Sequence, residues 1–266
     1  MPPKRKPKEV ASGMINFYDK LPKELIPKVE NPNERLHKIT IPFRAVVVGP
    51  SGSGKTSWLM NLIHLFSQGK GTFASICIVT ANSDEPLYKF LQKQDDQIKV
   101  VEGIHNTPKL DKFDKTENHL VVWDDLVLSK HLDVVCNYYI RARKQSVSCV
   151  FISQSYFHTP LMIRKNCNYL ILLKMSGQRE ISAILRECGL GITKEQLIGM
   201  YQHATSTKMS ALIVDYNVPE ENRFRKGFLE IINANDFLQP AQIEQRGRRP
   251  NDYYSEDSSS EDDDDG

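Results

Sequence analysis

Short apolar runs rich in β-branched residues punctuate the chain at residues 45–48, 75–80, 98–101, 120–123, 148–153 and 169–173. Most hold almost no polar position, so they predict strands covered on both faces, in a mainly parallel central sheet. Between them the pattern turns helical. Residues 57–66, 85–93, 129–143 and 178–187 predict helices, with Leu132, Val135, Cys136 and Tyr139 sharing one face of the third. Thr193 predicts the cap of a further helix that carries Leu197, Ile198 and Met200 on its apolar side. Residues 211–214 and 227–232 predict two closing strands that flank a turn at Pro219, a hairpin-like addition. Upstream, residues 13–40 mix Pro22, Pro27 and Pro32 with scattered apolar residues and predict an extended arm with short turns. Strands alternating with helices make this an α/β chain. No internal repeat is apparent.

The first strand feeds Gly49-Pro50-Ser51-Gly52-Ser53-Gly54-Lys55-Thr56, which satisfies the P-loop pattern G-x-x-x-x-G-K-[ST] at every constrained position. A helix follows from Ser57, so the strand, loop and helix that the pattern requires are all predicted. Backbone N–H groups in such a loop, at the positive end of a helix, suit an anionic polyphosphate. Gly49, Pro50, Ser51, Gly52, Ser53, Gly54, Lys55, Thr56 and Ser57 are therefore the candidate nucleotide-binding residues. Lys55 would reach the β- and γ-phosphates of ATP, and the Thr56 hydroxyl would ligate Mg2+.

About seventy residues further on, the apolar run of residues 120–123 ends on Asp124 and Asp125, the form of a Walker B strand. Asp124 is the candidate metal carboxylate and Asp125 the group that reaches the attacking water. Paired acids also cap helices, and the segment near Ser129 offers one to cap. The strand at 148–153 ends on Gln154. If this extra strand lies between the P-loop strand and the Walker B strand, Gln154 stands beside the γ-phosphate; otherwise it is an ordinary loop residue. Just ahead of that strand, Arg141-Ala142-Arg143-Lys144 closes a predicted helix. Arg143 is a candidate arginine finger for a neighbouring subunit's ATP, with Arg141 competing, although cations at a helix carboxyl end also complement its dipole.

Charge and cysteine usage narrow the picture. The 266 residues carry a formal net charge of +2. Eight of the 33 acidic residues fall in positions 251–266, leaving 35 basic against 25 acidic in the rest. The basic clusters Lys4, Arg5, Lys6, Lys8 and Arg246, Arg248, Arg249 account for most of that excess. Such charged ends cannot bury enough apolar surface to fold alone, which predicts disordered tails at residues 1–12 and 241–266 around a single P-loop domain at residues 41–240. The Pro-Lys-Arg-Lys-Pro-Lys run at residues 3–8 resembles a nuclear-import signal or a phosphate-contacting arm. The five scattered cysteines, with no C-x-x-C pair, predict unpaired thiols in a reducing compartment. No apolar run approaches the roughly 18 residues that a membrane helix needs, and no secretion signal is apparent, so an intracellular protein without membrane insertion is expected.

Taken together, the P-loop, Val121-Val122-Trp123-Asp124-Asp125-Leu126 and the block from Arg143 to Phe157 resemble the poxvirus-type genome-packaging ATPases of large DNA viruses and virophages, within the FtsK–HerA superfamily. The resemblance spans most of residues 40–175. It implies a RecA-like P-loop NTPase fold, a three-layer sandwich with the extra strand between the Walker A and Walker B strands. It makes Gln154 the sensor and Arg143 the trans finger. Two positions depart from the family: Lys144 stands where histidine is common, and Asp125 where superfamily relatives often carry glutamate, one methylene longer. The function implied is an ATP-hydrolysing motor that moves double-stranded DNA, without reading its sequence, into a capsid. A homo-oligomeric ring of five or six copies, capsid proteins as partners, and work in a virus factory, nucleus or virion follow from the same resemblance. The residues alone leave open a small-molecule kinase on the same fold and a nucleotide-gated adaptor that does not hydrolyse ATP.

Overall fold

A computed structural model describes residues 16–22, 30–175, 177, 179–188 and 190–238. The chain divides into a unit of residues 1–30 and a body that begins at Asn31. In the first unit the described residues form one 3-10 turn, Phe17–Lys20. Both charged tails predicted above lie outside the described residues, as do residues 13–15 and 23–29 of the arm.

The body is built on a nine-stranded sheet. Its strands are β1 (Arg44–Val48), β2 (Ser75–Thr80), β3 (Ile98–Glu102), β4 (His119–Asp124), β5 (Val147–Ser153), β6 (Tyr169–Leu172), β7 (Leu212–Asp215), β8 (Phe224–Lys226) and β9 (Glu230–Ile231). In space they run β3-β2-β4-β5-β1-β6-β7-β8-β9. Strands β3 to β6 in that order pair parallel, and β7, β8 and β9 add on antiparallel. The extra strand is β5, between the P-loop strand β1 and the acid-bearing strand β4, as the resemblance implies.

Burial on both faces explains the unbroken apolar runs. Along β1, Val46 and Val48 enter one core while Ala45 and Val47 enter the other. The first core is covered by α4 (Asp133–Arg141), α5 (Leu161–Asn166), α6 (Arg179–Cys188) and α7 (Lys194–Ala204). The second is covered by α2 (Lys55–Phe66) and α3 (Pro86–Gln94). Three layers result, as expected. Thr193 caps α7 in a reciprocal capping box with Gln196. The five thiols are free, with Cys77 and Cys149 buried and the other three half-buried. Among the described residues, no helix is long and apolar enough to cross a membrane.

Several boundaries differ from the expected ones, each for a local reason. The helix predicted over 129–143 is confined to α4, because His131 adopts a left-handed φ of 69° and interrupts any helix running through it. A 3-10 turn, Ala142–Gln145, replaces its last residues. The single strand predicted over 227–232 is instead the turn and second arm of a short β8–β9 hairpin, in which Gly227 at φ 58° turns the chain. Residues 31–40 belong to the body, ahead of the expected boundary at 41. They hold a helical turn, α1 (Glu34–His37), and the Asn33 side-chain amide donates to the carbonyls of Phe66 (3.0 Å) and Gln68 (2.8 Å) at the end of α2. At the far end of the segment, the Thr40 amide donates to the Tyr169 hydroxyl at 3.0 Å.

The Asn33 tether gives a test of that boundary. Asn33→Ala removes two hydrogen bonds from partly buried carbonyls, which should cost about 1–3 kcal/mol. We expect a lower urea midpoint with an unchanged m-value. An unchanged midpoint would detach residues 31–40 from the cooperative body.

Candidate functional site

The loop from Gly49 to Lys55 turns tightly because its glycines allow it. Gly54 caps α2 with φ 96°, a conformation L side chains rarely adopt. At Gly49 a Cβ would stand 2.5 Å from the Ser53 hydroxyl and 3.0 Å from Leu173, so the loop could not close over the end of β6. The loop is internally braced: the Ser53 amide donates to the Pro50 carbonyl at 3.1 Å, and Lys55 Nζ donates to the same carbonyl at 3.0 Å. The first amides of α2 therefore face a cleft of about 520 Å³. Ser51, Gly52, Gly54, Lys55, Thr56 and Ser57 line it directly, whereas Pro50 and Ser53 border an adjoining cleft of about 500 Å³.

The parallel register carries the remaining groups to the same lip. Val48 pairs with Ser153 and Thr80 with Asp124, so β1, β2, β4 and β5 end nearly level. Asp124, Asp125 and Gln154 line the cleft opposite Lys55 and Thr56. Asp124, only 9% exposed, ends its strand inside the cleft wall, and burial raises its carboxyl above the ordinary aspartate value. Its Oδ2 accepts a hydrogen bond from the buried Tyr88 hydroxyl of α3, and that bond and the nearby Lys55 work the other way. Burial lowers the Lys55 ammonium, while Asp124 and Asp125 raise it. Asp125 follows in a left-handed conformation, φ 55°, which aspartate tolerates better than most residues. That break swings its carboxylate out of the sheet and into the open, where the Gln154 side-chain amide donates to it at 2.8 Å.

The structure thus gathers Lys55, Thr56, Asp124, Asp125 and Gln154 in one cleft, and Arg143 is not among them. Arg143 is exposed in the turn ahead of β5, while Gln154 follows the other end of that strand. Seven extended residues separate the two by about 20 Å, so neither Arg143 nor Arg141 serves the cleft of its own chain. Groups that the sequence did not assign to the nucleotide cleft join it. Tyr88 and Glu85 come from the start of α3, and Lys208 and Met209 from the loop after α7. Nothing local in the sequence marks Tyr88. The signal was its place on the inner face of a helix that follows the strand beside β4, which needs the sheet order to interpret.

A strand, a phosphate-type loop and a helix, with an extra strand between loop strand and acid strand, define a P-loop NTPase fold of the RecA-like, additional-strand type. The chain belongs to the poxvirus A32 protein family, whose sequence model matches residues 31–230. It is 26% identical over 231 residues to the DNA packaging protein OPG160 of vaccinia virus, covering 80% of this chain and 81% of that one. The monkeypox virus OPG160 is 26% identical over the same length, with 73% of it covered. The genome packaging NTPase B204 of Sulfolobus turreted icosahedral virus 2, solved with AMP, shares the fold with a TM-score of 0.52 at 16% identity, covering 73% of this chain and 100% of B204. The same protein solved with ATP-gammaS gives a TM-score of 0.52 at 15% identity, with 73% and 100% covered.

Two substitutions probe the electrostatics. Because burial raises the folded-state pKa of Asp124, its charged form weakens the fold as pH rises from the unfolded carboxylate value through the folded one. Asp124→Asn should therefore melt higher than wild type near neutral pH, with the gain vanishing in acid below the unfolded value; a lower melting temperature at neutral pH would contradict this. Tyr88→Phe removes a donor that favours the carboxylate, so the acidic limb of any Asp124-dependent activity should move to higher pH. A limb that stays in place would remove Tyr88 from the site's electrostatics.

Proposed function

We propose that this chain is an ATP-driven motor that packages viral double-stranded DNA, with hydrolysis coupled to translocation. The observation that supports it best is the Gln154–Asp125 hydrogen bond at the mouth of the cleft that holds Lys55 and Thr56. Paired this way, Asp125 and Gln154 hold a water in line with the γ-phosphorus of ATP. Asp125 takes its proton as the new P–O bond forms and ADP leaves. Lys55 and the amides of the Gly49–Thr56 loop balance the charge spread over the phosphoryl oxygens. Thr56 and Asp124 offer the hard oxygen donors that suit Mg2+, and Tyr88 keeps the Asp124 carboxylate oriented. When bound there, the cation would neutralise charge on the β- and γ-phosphates.

In this reading Arg143 acts in trans. Its exposure and its distance of some 20 Å from its own cleft by strand rise support a role in which its guanidinium serves an adjacent copy. Hydrolysis then requires a ring, and a ring around a duplex grips backbone phosphates without reading bases. Capsid proteins are the partners this function demands, and the infected cell or assembling virion is where it works.

The test is ATP hydrolysis by purified protein with and without long duplex DNA, for wild type, Lys55→Ala and Arg143→Ala. Both variants should lose the DNA-stimulated rate, the arginine variant by about a thousandfold or more if it is a true finger. Mixing the two inactive variants should restore part of the rate, because an Arg143→Ala subunit keeps its own loop and borrows Arg143 from a Lys55→Ala neighbour. Rates indifferent to DNA, or an Arg143→Ala protein as fast as wild type, would contradict the motor.

A further inference from the structure

Helix α3 faces two ways. Tyr88 and Leu91 are buried against the sheet, while Leu87 and Phe90, one turn apart on the other side, are exposed, Phe90 by 55%. Leu87 also lines the nucleotide cleft, so this apolar stripe runs up to its rim. The surrounding stretch, residues 84–102, carries five acidic side chains against three basic. Across the sheet, α4 and α5 pack side by side and leave a second set of apolar residues outside: Ile140 is 53% exposed, Leu161 47% and Met162 48%. Their setting has the opposite charge. Residues 137–166 hold five basic side chains and no acidic one; Arg164 is mostly buried and paired with Glu187 of α6, which leaves Arg141, Arg143, Lys144 and Lys165 as the exposed charge.

We propose that these two surfaces bind each other between adjacent copies of this chain, the α3 face of one seating the α4–α5 face of the next. The inference rests on the ring reading given above and names its contact. An apolar centre with a charged surround of opposite sign on each side is what a specific contact uses, the apolar part for affinity and the charge for orientation. The two surfaces cover opposite cores of one sheet, so a copy cannot satisfy both with a single partner. The contact is therefore heterologous and propagates, closing into a ring when the rotation allows. It also explains how Arg143 arrives. The docking body carries Arg141, Arg143 and Lys144, and the surface that receives it borders the phosphates. A neighbour seated on α3 presses on the helix that holds Asp124 through Tyr88, so assembly and the cleft share one element.

The test uses Phe90→Asp and Met162→Asp in the full chain, examined by native mass spectrometry with ATP-gammaS and duplex DNA. Both residues are surface positions outside the cleft lining, so binding of a fluorescent ATP analogue should match wild type and verify folding. Wild type should form assemblies larger than a dimer, and each variant alone should be monomeric. An equal mixture should form one-to-one heterodimers and nothing larger, since each variant retains the one face that the other lacks. Variants that assemble like wild type would overturn the surface assignment while leaving a DNA-stimulated ring intact. Homodimers of either variant, or a mixture that stays monomeric, would also overturn it. A wild type that binds nucleotide yet remains monomeric would sink both this contact and the ring.

Discussion

Everything at the site follows from the level ends of parallel strands. Because β2, β4, β5 and β1 are buried on both faces, none can shift its register without moving apolar side chains out of one core and into the other. That constraint holds Asp124 opposite the loop that begins after Val48 and places Ser153, just before Gln154, directly beside Val48. Precision that side chains on mobile loops could not supply is thus delivered by the packing of Val46, Val122, Val150 and their neighbours, far from any chemistry. The loop then needs only the glycines that let it pass close over Leu173.

Such a site weakens the fold that builds it. Asp124 is a carboxylate withdrawn almost wholly from solvent, and Asp125 holds a backbone conformation that costs a non-glycine residue of order 1 kcal/mol or more. Both are adjacent in the chain, at the point where a strand must stop. The compensation is local: Tyr88 donates to the first carboxylate and Gln154 to the second, each from a different element. The acids are therefore held by α3 and β5 as much as by their own strand. A displacement of either element would move a carboxylate at the mouth of the cleft.

Much of this was legible beforehand. Two-sided burial writes unbroken apolar runs, so five of the six parallel strands could be read from residues such as Ala45–Val48 and 148–153 with little ambiguity, while the edge strand β3 carries the exposed Lys99. The loop could be read because its backbone tolerates few residue types. Less legible was anything set by tertiary placement. Phe90 and Leu91 are equally apolar neighbours, yet one is 55% exposed and the other buried, and only the packed helix distinguishes them. Tyr88 resembles any core aromatic until β2 and β4 are adjacent. The helix α5 is six residues long, too short to show a period, and its start was hidden among ordinary loop residues. The start of α4 depended on one left-handed histidine, His131, a conformation that no pattern of hydrophobicity reports.

The central claim is that strand ends from distant parts of the chain form one metal-and-triphosphate pocket. Crystals grown with Mn2+ and a non-hydrolysable ATP analogue test it most directly, through the anomalous peak of the metal. A peak between the Thr56 hydroxyl and the Asp124 carboxylate, with the γ-phosphate facing Gln154 and Asp125, is the result expected. A metal bound elsewhere, or a triphosphate lying outside the Gly49–Thr56 loop, would contradict the account.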